Sequence, residues 1–374
     1  MTEPVTPVRP AVPDAPDEGG AREVAGVDQA IGQLEEALLG EPASLSREAV
    51  ESSTGLGVDR VRALWRALGF VDALPDTPMF AAADVAALQR TATLEHDRLF
   101  DERALDTLAR ALGQAMRRLA EAQVEILTEI MSRDEQMVRL AADDPQQAVR
   151  EVVEQTREWL PELEALMVYA YRRHVLASSK RVLAGAARNI TDAPLVVGFC
   201  DIVNYTAMTR DLDGRDLAAL VETFESTSAD LITRGGGRVV KLLGDEVMFA
   251  ADDPESGAGI GLALSEAFGA AGRNDVPRSS DAMDNVGVAS PARVGEVRVG
   301  LAYGPTLPHG GDLFGPVVNL ASRCTGIARP GAVVCERELA AALADSPTVR
   351  VSRLRMLRVR GYGHLTPSVL RRKP

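Results

Sequence analysis

The first half of the chain carries apolar residues at helical spacing. Residues 27–39, "VDQAIGQLEEALL", repeat apolar positions three and four residues apart, and residues 44–70 predict two short helices around a glycine-containing turn. A longer helix is indicated by one apolar stripe, formed by Leu105, Leu108, Leu112, Leu119, Ile126 and Ile130. A further helical stretch runs from about Gln146 to Ala187, with Pro161 as its predicted kink or break. The chain is therefore predicted to be helical up to about Asn189.

The pattern changes after residue 194. The continuous apolar run "LVVGFCDIV", residues 195–203, indicates a central strand, and "VVKLLGDEVMFA", residues 239–250, indicates a hairpin with a Gly-Asp turn. Helical and strand patterns then alternate in the order β-α-β-β-α-β-α-β. This order predicts an α+β fold, a ferredoxin-like (palm-type) α/β sandwich, preceded by an all-α region. Residues 273–294 lack periodicity and are predicted to form a mobile surface loop.

These patterns divide the chain into four segments. Residues 1–22 are rich in Pro, Asp and Ala and predict a disordered tail without the apolar core of a signal peptide. A helical domain is predicted over 23–145, a helical linker over 146–192 and the α+β domain over 193–374.

Composition narrows the functional classes. The formal net charge of −13, from 54 acidic and 41 basic residues, argues against broad attraction to nucleic acid or an anionic membrane. The two short helices of residues 44–70 outline a helix-turn-helix, but their charges nearly balance, which favours a packing unit over DNA binding. The three cysteines are few and widely spaced, and no apolar stretch is long enough to span a membrane. We therefore expect a cytoplasmic protein with reduced cysteines and no nucleic-acid partner.

Two aspartates stand at positions where strands end. Asp201 ends the first strand and Asp245 lies in the hairpin turn, so the fold can bring them together. Two close carboxylates repel each other unless a proton or a cation lies between them, and an oxygen-only pair suits Mg²⁺ or Mn²⁺. Each aspartate taken alone is equally consistent with an ordinary strand end or turn. Lys241, inside a strand, also needs a partner, because desolvating an ammonium group is costly.

Two further segments can contact an anion. Residues 202–211 turn from a strand toward a helix, where free backbone N–H groups can hold phosphate. In "GDLFGPVVNLASR", residues 311–323, Asn319 and Arg323 lie four apart and share a helix face. An amide and a guanidinium on one face suit an anionic transition state, although they can also cap a helix or form a surface ion pair.

Residues 193–363 resemble the class III nucleotidyl cyclase catalytic domain. The resemblance rests on three segments in this order and spacing, "FCDIVNYT", "KLLGDEVMFA" and "GDLFGPVVNLASR". The resemblance implies a homodimer whose active sites lie at the subunit interface, each using residues of both chains. It implies two divalent metal ions, Mg²⁺ or Mn²⁺, in each site. The implied roles are metal binding by Asp201, Asp245 and the backbone carbonyl of Ile202, purine recognition by Lys241 and Asp312, ribose positioning by Asn319, and stabilisation of the α-phosphate charge by Arg323.

The implied substrate is ATP. A carboxylate accepts from the adenine N6 amino group and an ammonium donates to N1, whereas guanine reverses this pattern. The expected activity is thus that of an adenylyl cyclase, which forms 3′,5′-cyclic AMP and pyrophosphate. Two positions depart from the family pattern, Asn204 and Tyr205 in the phosphate turn, and asparagine tolerates the positive φ that this turn needs. Glu246 is expected to face solvent without a function.

The N-terminal half resembles the regulatory domain of some soluble actinobacterial cyclases. This resemblance implies a module that changes how two catalytic domains meet, in response to pH or to an apolar ligand such as a fatty acid. His96 and His174 are the histidines of this half, so a histidine-based pH switch has few candidates.

Three alternatives remain open. A diguanylate cyclase has a related hairpin, but it gives no reason for Asp312, Asn319 and Arg323. A catalytically weak or inactive cyclase-like dimeric signalling module is the second alternative, and the complete motifs argue against it. A DNA-binding regulator is the third, and the acidic charge argues against it.

Overall fold

The computed structural model describes residues 18–71, 78–96, 100–187, 194–210, 212–271, 294–359 and 363–374. The chain forms two compact units, Met1–Ala177 and Ser178–Pro374. Residues 1–17 of the predicted tail and 273–293 of the predicted loop lie outside the described part. The first helix begins at Glu18, so residues 18–22, which we expected to be disordered, are helical.

The first half of the chain is helical, as its periodicity predicts. Its helices are α1 (Glu18–Leu39), α2 (Arg47–Thr54), α3 (Val58–Ala67), α4 (Ala82–His96), α5 (Glu102–Arg133), α6 (Glu135–Asp143) and α7 (Pro145–Ala187). Pro161 lies inside α7 and does not end it, so the predicted interruption is not a break. None of the helices in the described residues is long and apolar enough to cross a membrane.

Helices α2 and α3, which outline a helix-turn-helix in the sequence, pack inside the first unit. Val50 of α2 and Val61 of α3 are buried with Leu88 of α4. Arg60 of α3 is held by three carboxylates, with its closest contact, 2.7 Å, to Asp106 of α5. The apolar faces of both helices therefore stabilise this unit, which fits the packing interpretation.

The second unit is built on a seven-stranded sheet. Its strands and helices are β1 (Leu195–Ile202), α8 (Tyr205–Met208), α9 (Gly214–Arg234), β2 (Arg238–Leu242), β3 (Glu246–Ala251), α10 (Pro254–Ala271), β4 (Val297–Gly304), β5 (Leu307–His309), β6 (Asp312–Phe314), α11 (Pro316–Ile327), β7 (Val333–Cys335), α12 (Arg337–Ala342), β8 (Val349–Arg353), β9 (Leu357–Val359), β10 (Gly363–Leu365) and β11 (Ser368–Arg372). The strand order is β2-β3-β1-β4-β7-β11-β8, and β4 and β7 are the parallel pair. The predicted α+β class is confirmed, but two hairpins, β5–β6 and β9–β10, were not anticipated.

Helices cover both faces of the sheet. On one face, Phe224 of α9 and Phe268 of α10 pack in the same core as Cys200 of β1. On the other face, Val317 and Ala321 of α11 pack in a second core that includes Phe199 of β1 and Met248 of β3. Side chains of a strand alternate between faces, so Asp201, two residues after Phe199, lies on the same face, which α11 covers.

The backbone of α11 approaches the sheet closely at Gly300 of β4. A Cβ atom at this position would lie 2.0 Å from the backbone nitrogen of Thr325 and 2.4 Å from the carbonyl oxygen of Ala321. Both atoms belong to the backbone of α11, so no side-chain rotation can relieve the clash. Glycine at this position therefore sets the height of α11 above the sheet.

We expect Gly300→Ala to destabilise the protein by about 1–3 kcal/mol, the usual cost of overpacking a tightly packed core. The midpoint of urea unfolding measures this change. Gly326→Ala is the matched control, since Gly326 is also on α11 and its Cβ would meet nothing within 4 Å. The control should be neutral or slightly stabilising because alanine favours helix. Equal unfolding midpoints for the two variants would contradict the role given to Gly300.

Candidate active site

The candidate site starts at the end of the central strand β1. Asp201 lies directly opposite Glu246 of β3 on one side and Arg298 of β4 on the other. Directly opposed residues of antiparallel strands share a face, so the three side chains point to the same side of the sheet. The Nη2 atom of Arg298 donates to Oδ2 of Asp201 over 2.9 Å. Arg298 is therefore the charge partner of Asp201 within the chain.

The sequence analysis missed Arg298. The signal was available, because "EVRVGLAYG" places an arginine inside an otherwise apolar strand, where a buried charge needs a partner as much as Lys241 does. What the sequence does not contain is the register that sets Arg298 opposite Asp201.

Asp245 lies beside the same strand end. Its carbonyl oxygen accepts a hydrogen bond of 2.9 Å from the backbone N–H of Ile202. The turn that contains Asp245 is thus joined to the last residue of β1. The two predicted metal-binding aspartates, Asp201 and Asp245, therefore lie on backbone segments that are joined by a hydrogen bond.

Glu246 corrects one expectation, because its side chain is half-buried and does not face open solvent. Burial is the largest cause that raises the pKa of Glu246, and together with the charges of Asp201 and Asp245 it raises this pKa to about 7. Arg298 and Lys241 act in the opposite direction. The two neighbouring carboxylates therefore add to the effect of burial and place further negative charge at this end of the sheet.

Lys241 and Asp312 form an ion pair. The Nζ atom of Lys241 lies 2.6 Å from Oδ2 of Asp312, and the side chains are 33% and 28% exposed. Asp312 begins the unpredicted strand β6, and its Oδ1 atom accepts from the N–H of Leu313 over 2.7 Å. The partner that the sequence analysis required for Lys241 is therefore Asp312.

A register shift in β2 decides the direction of Lys241. Val239 pairs with Phe249, but Lys241 pairs with Met248, so Val240 is an extra residue in the strand. In a regular antiparallel pair Lys241 would oppose Val247 and point to the α9 and α10 side. The shift places Lys241 on the face of Met248, which is also the face of Asp201.

Asn319 and Arg323 lie on the exposed side of α11. Both side chains are exposed, whereas Val317, Ala321 and Cys324 form the buried side of the helix. Within the residues that the structure describes, neither side chain makes a hydrogen bond or an ion pair. The two residues share a face as predicted, but the structure does not bring them into contact with Lys241, Asp312 or Asp201.

The phosphate turn has the predicted backbone geometry. Asn204 has φ 60° and ψ 23°, in the left-handed region, and it precedes α8. Of the described non-glycine residues, it alone has a positive φ. Asparagine tolerates this region better than other non-glycine residues, so the turn is retained although Asn204 departs from the family pattern.

The residues at the end of β1 fit a hard divalent cation. Asp201 and Asp245 supply carboxylate oxygens, and after burial their negative charges are the next causes of the raised pKa of Glu246. Among the described residues, no group of three or more His, Cys, Asp or Glu could hold a metal ion by itself. Two carboxylates suit Mg²⁺ or Mn²⁺, which take their other ligands from water and phosphate.

We expect the stability of the metal-free protein to depend on Glu246 between about pH 4.5 and 7. Its pKa rises from 4.5 to about 7 on folding, so the folded state binds more protons in this window and stability falls as the pH rises. Glu246→Gln should reduce this fall, measured as the difference between urea-unfolding midpoints at pH 5 and pH 8 in a chelator. Glu222→Gln, at an exposed position of α9, is the control. The same pH dependence in wild type and Glu246→Gln would contradict the prediction.

Comparison with known proteins identifies the family of the chain. Residues 191–371 match the family described as the adenylate and guanylate cyclase catalytic domain. An adenylate cyclase of Streptomyces coelicolor is 36% identical over 318 residues, 84% of this chain and 76% of the relative. An adenylate cyclase of Glutamicibacter nicotianae is 30% identical over 356 residues, 91% of this chain and 82% of the relative. Among solved structures, the adenylyl cyclase CyaB of P. aeruginosa is 19% identical with a TM-score of 0.37, covering 48% of this chain and 95% of CyaB. The chain belongs to the class III adenylyl cyclase family.

Proposed function

We propose that the protein converts ATP to 3′,5′-cyclic AMP and pyrophosphate, as a homodimer with its active sites at the subunit interface. The observation that carries this proposal is the ion pair of Lys241 and Asp312, at 2.6 Å, on the sheet face that also bears Asp201. A base-recognising pair and a cation-binding carboxylate on one face match the two ends of a nucleotide, its base and its phosphates.

The Lys241 and Asp312 pair has the hydrogen-bonding sense of adenine. The ammonium of Lys241 donates to the N1 acceptor, and a carboxylate oxygen of Asp312 accepts from the N6 amino group. Guanine carries an N1 donor and an O6 acceptor, so in the same position it would face the ammonium with a donor and the carboxylate with an acceptor. The pair therefore favours ATP over GTP.

The end of β1 is proposed to receive the phosphates together with two Mg²⁺ or Mn²⁺ ions. Asp201, Asp245 and the backbone carbonyl of Ile202 are the proposed ligands. When bound, such ions stabilise negative charge on phosphate oxygens and lower the pKa of a hydroxyl group that they contact. Arg298 contributes by holding the carboxylate of Asp201 in place through the 2.9 Å contact.

Asn319 and Arg323 are proposed to complete the active site of the partner subunit. Both are exposed on α11 and have no partner within the described part of the chain. In the reaction, the ribose 3′-hydroxyl would lose its proton to solvent, its oxygen would bond to the α-phosphorus, and the bond from that phosphorus to the pyrophosphate leaving group would break. Asn319 would orient the ribose, and the guanidinium of Arg323 would stabilise the charge that develops on the α-phosphate.

The helical first unit is proposed to regulate this reaction. Its helix α5 carries large apolar side chains that are about half exposed, including Leu112 at 48% and Ile130 at 58%. Such a surface suits an apolar effector, with a fatty acid as the simplest example. A pH response is the other form of regulation proposed from the sequence.

We expect the purified chain to form cyclic AMP from ATP in the presence of Mg²⁺ or Mn²⁺, and Asp201→Asn to reduce the rate at least a hundredfold. Cyclic nucleotide is quantified by chromatography, and light scattering checks that the variant remains a dimer. The same assay on residues 178–374 tests the first unit, because regulation requires a different rate. A folded dimer without cyclic product would favour the inactive signalling module, and an unchanged rate in Asp201→Asn would refute the cation-binding role.

We expect Lys241→Glu to reduce the preference for ATP over GTP at least tenfold, because a carboxylate accepts from the N1 donor of guanine. The ratio of kcat/KM for the two nucleotides measures this preference. Arg234→Glu is the charge control, since Arg234 is exposed at the end of α9 and contacts Asp230. Unchanged discrimination in Lys241→Glu would rule out base recognition by this residue.

A further inference from the structure

The end of the chain has a charge opposite to that of the whole. After Asp345 the sequence has no further Asp or Glu, whereas it has arginine at every second or third position from Arg350 to Arg360 and basic residues again at 371–373. The whole chain carries a net charge of −13, which argues against broad attraction to an anionic surface. That average does not describe this last segment.

Two of these arginines face each other at the edge of the large sheet. Arg350 of β8 is directly opposed to Arg371 of β11, both side chains are exposed, and β8 is the last strand of the sheet. Like charges in directly opposed positions destabilise an antiparallel pair. Within the described residues, neither guanidinium makes an ion pair or a hydrogen bond. An anion bound by both would remove the repulsion, so the pair favours an anionic partner.

The β9–β10 hairpin repeats this arrangement. Arg358 is directly opposed to His364, and both side chains are exposed. The next opposed pair, Leu357 and Leu365, lies on the other face of the hairpin, where Leu365 is buried. The two basic side chains therefore point away from the core.

Large aliphatic side chains are exposed among the arginines. Between β8 and β9, Leu354 is 38% exposed and Met356 is 63% exposed, and they alternate in sequence with exposed arginines at 353 and 355. Residues 350–358, His364 and Arg371 together are named the C-terminal basic surface.

Protection of a sheet edge does not account for the whole surface. Charged side chains on an edge strand prevent pairing with the edge of another sheet, and β8 is such a strand. That role needs charge on β8 alone. The arginines here extend to β11 and to the β9–β10 hairpin, and exposed aliphatic side chains accompany them.

Anionic phospholipid fits both properties of the C-terminal basic surface. Guanidinium groups bind phosphate through charge-assisted hydrogen bonds, and leucine side chains at a bilayer surface bury themselves at the boundary of headgroups and acyl chains. Proteins that bind single-stranded nucleic acid stack the bases on aromatic side chains. The exposed apolar side chains of the described part of this surface are aliphatic. Lipid therefore fits this surface better than nucleic acid does.

We propose that the C-terminal basic surface binds the anionic face of a phospholipid bilayer as a peripheral contact. The acidic remainder of the chain does not prevent this contact. Salt screens exposed charges beyond about 8 Å at physiological ionic strength, so the arginines nearest the bilayer dominate the interaction. The binding does not depend on the proposed cyclase activity, so it is measured without nucleotide.

Co-sedimentation of the full chain with lipid vesicles tests the proposal. We expect the chain to sediment with vesicles made of equal amounts of phosphatidylglycerol and phosphatidylcholine, and to stay in solution with vesicles of phosphatidylcholine alone. Raising the salt concentration should weaken the binding, because screening acts on the arginine–phosphate attraction.

The variant Arg350→Glu separates loss of binding from loss of folding. It replaces a like-charge pair with an opposite-charge pair, so it should raise the midpoint of urea unfolding. Its affinity for the anionic vesicles should fall about tenfold or more, since one arginine is lost and a repelled carboxylate is added. Arg337→Glu, at the exposed start of α12, makes the same change in net charge and should bind as the wild type does.

The variant Met356→Ser tests the apolar part of the contact. Only a bilayer offers an apolar interior to this side chain, whereas heparin offers negative charge alone. We expect affinity for the anionic vesicles to fall about threefold and affinity for heparin to stay unchanged. Equal losses for both would contradict insertion of Met356 into the bilayer.

Three results would overturn the proposal. The first is equal affinity of wild type and Arg350→Glu for the anionic vesicles. The second is binding to single-stranded RNA without binding to the vesicles, which identifies a nucleic-acid surface. The third is a chain that ignores the vesicles and whose mass in light scattering falls in Arg350→Glu, which indicates a contact between copies. The proposed cyclase activity is measured separately as cyclic AMP, so it stands or fails independently of all three.

Discussion

Three carboxylates converge on the end of the central strand β1, and this concentration of charge is the constraint on which the site depends. Asp201 and Glu246 are directly opposed across β1 and β3, and Asp245 is bonded through its carbonyl to Ile202. Like charges in opposed positions destabilise a sheet. Two features offset part of this cost. Arg298 lies 2.9 Å from Asp201, and the raised pKa of Glu246 favours the uncharged form of this carboxyl group. The arrangement therefore favours added positive charge, which the proposed cation site requires.

Packing between α11 and the sheet sets the positions of two other proposed site residues, Asn319 and Arg323. Gly300 allows the backbone of α11 to approach β4 so closely that a Cβ atom would not fit. The same helix presents Asn319 and Arg323 outward. The height of α11 above the sheet thus determines where these two side chains lie. Gly300, which is buried under α11, therefore influences the position of both exposed side chains.

The proposed homodimer gives a physical reason for two exposed polar groups of α11. Asn319 and Arg323 are exposed at positions that the family resemblance assigns to catalysis, and neither has a partner within the described part of the chain. A two-fold partner would bring each pair to the site of the other subunit.

The sequence by itself determined the elements and the family, and it supplied the proposed site residues. Hydrophobic periodicity is a local property, so it located the long helices, the central strand and the hairpin around Asp245. Three linked motifs identified the family, and the roles proposed for the residues from Asp201 to Arg323 rest on the same motifs. The tertiary structure decided which charges meet. The register of β1 and β4 made Arg298 the partner of Asp201, burial raised the pKa of Glu246, and the extra residue at Val240 turned Lys241 toward Asp312. These outcomes depend on pairings between segments far apart in the chain, and no local pattern of residues specifies a register.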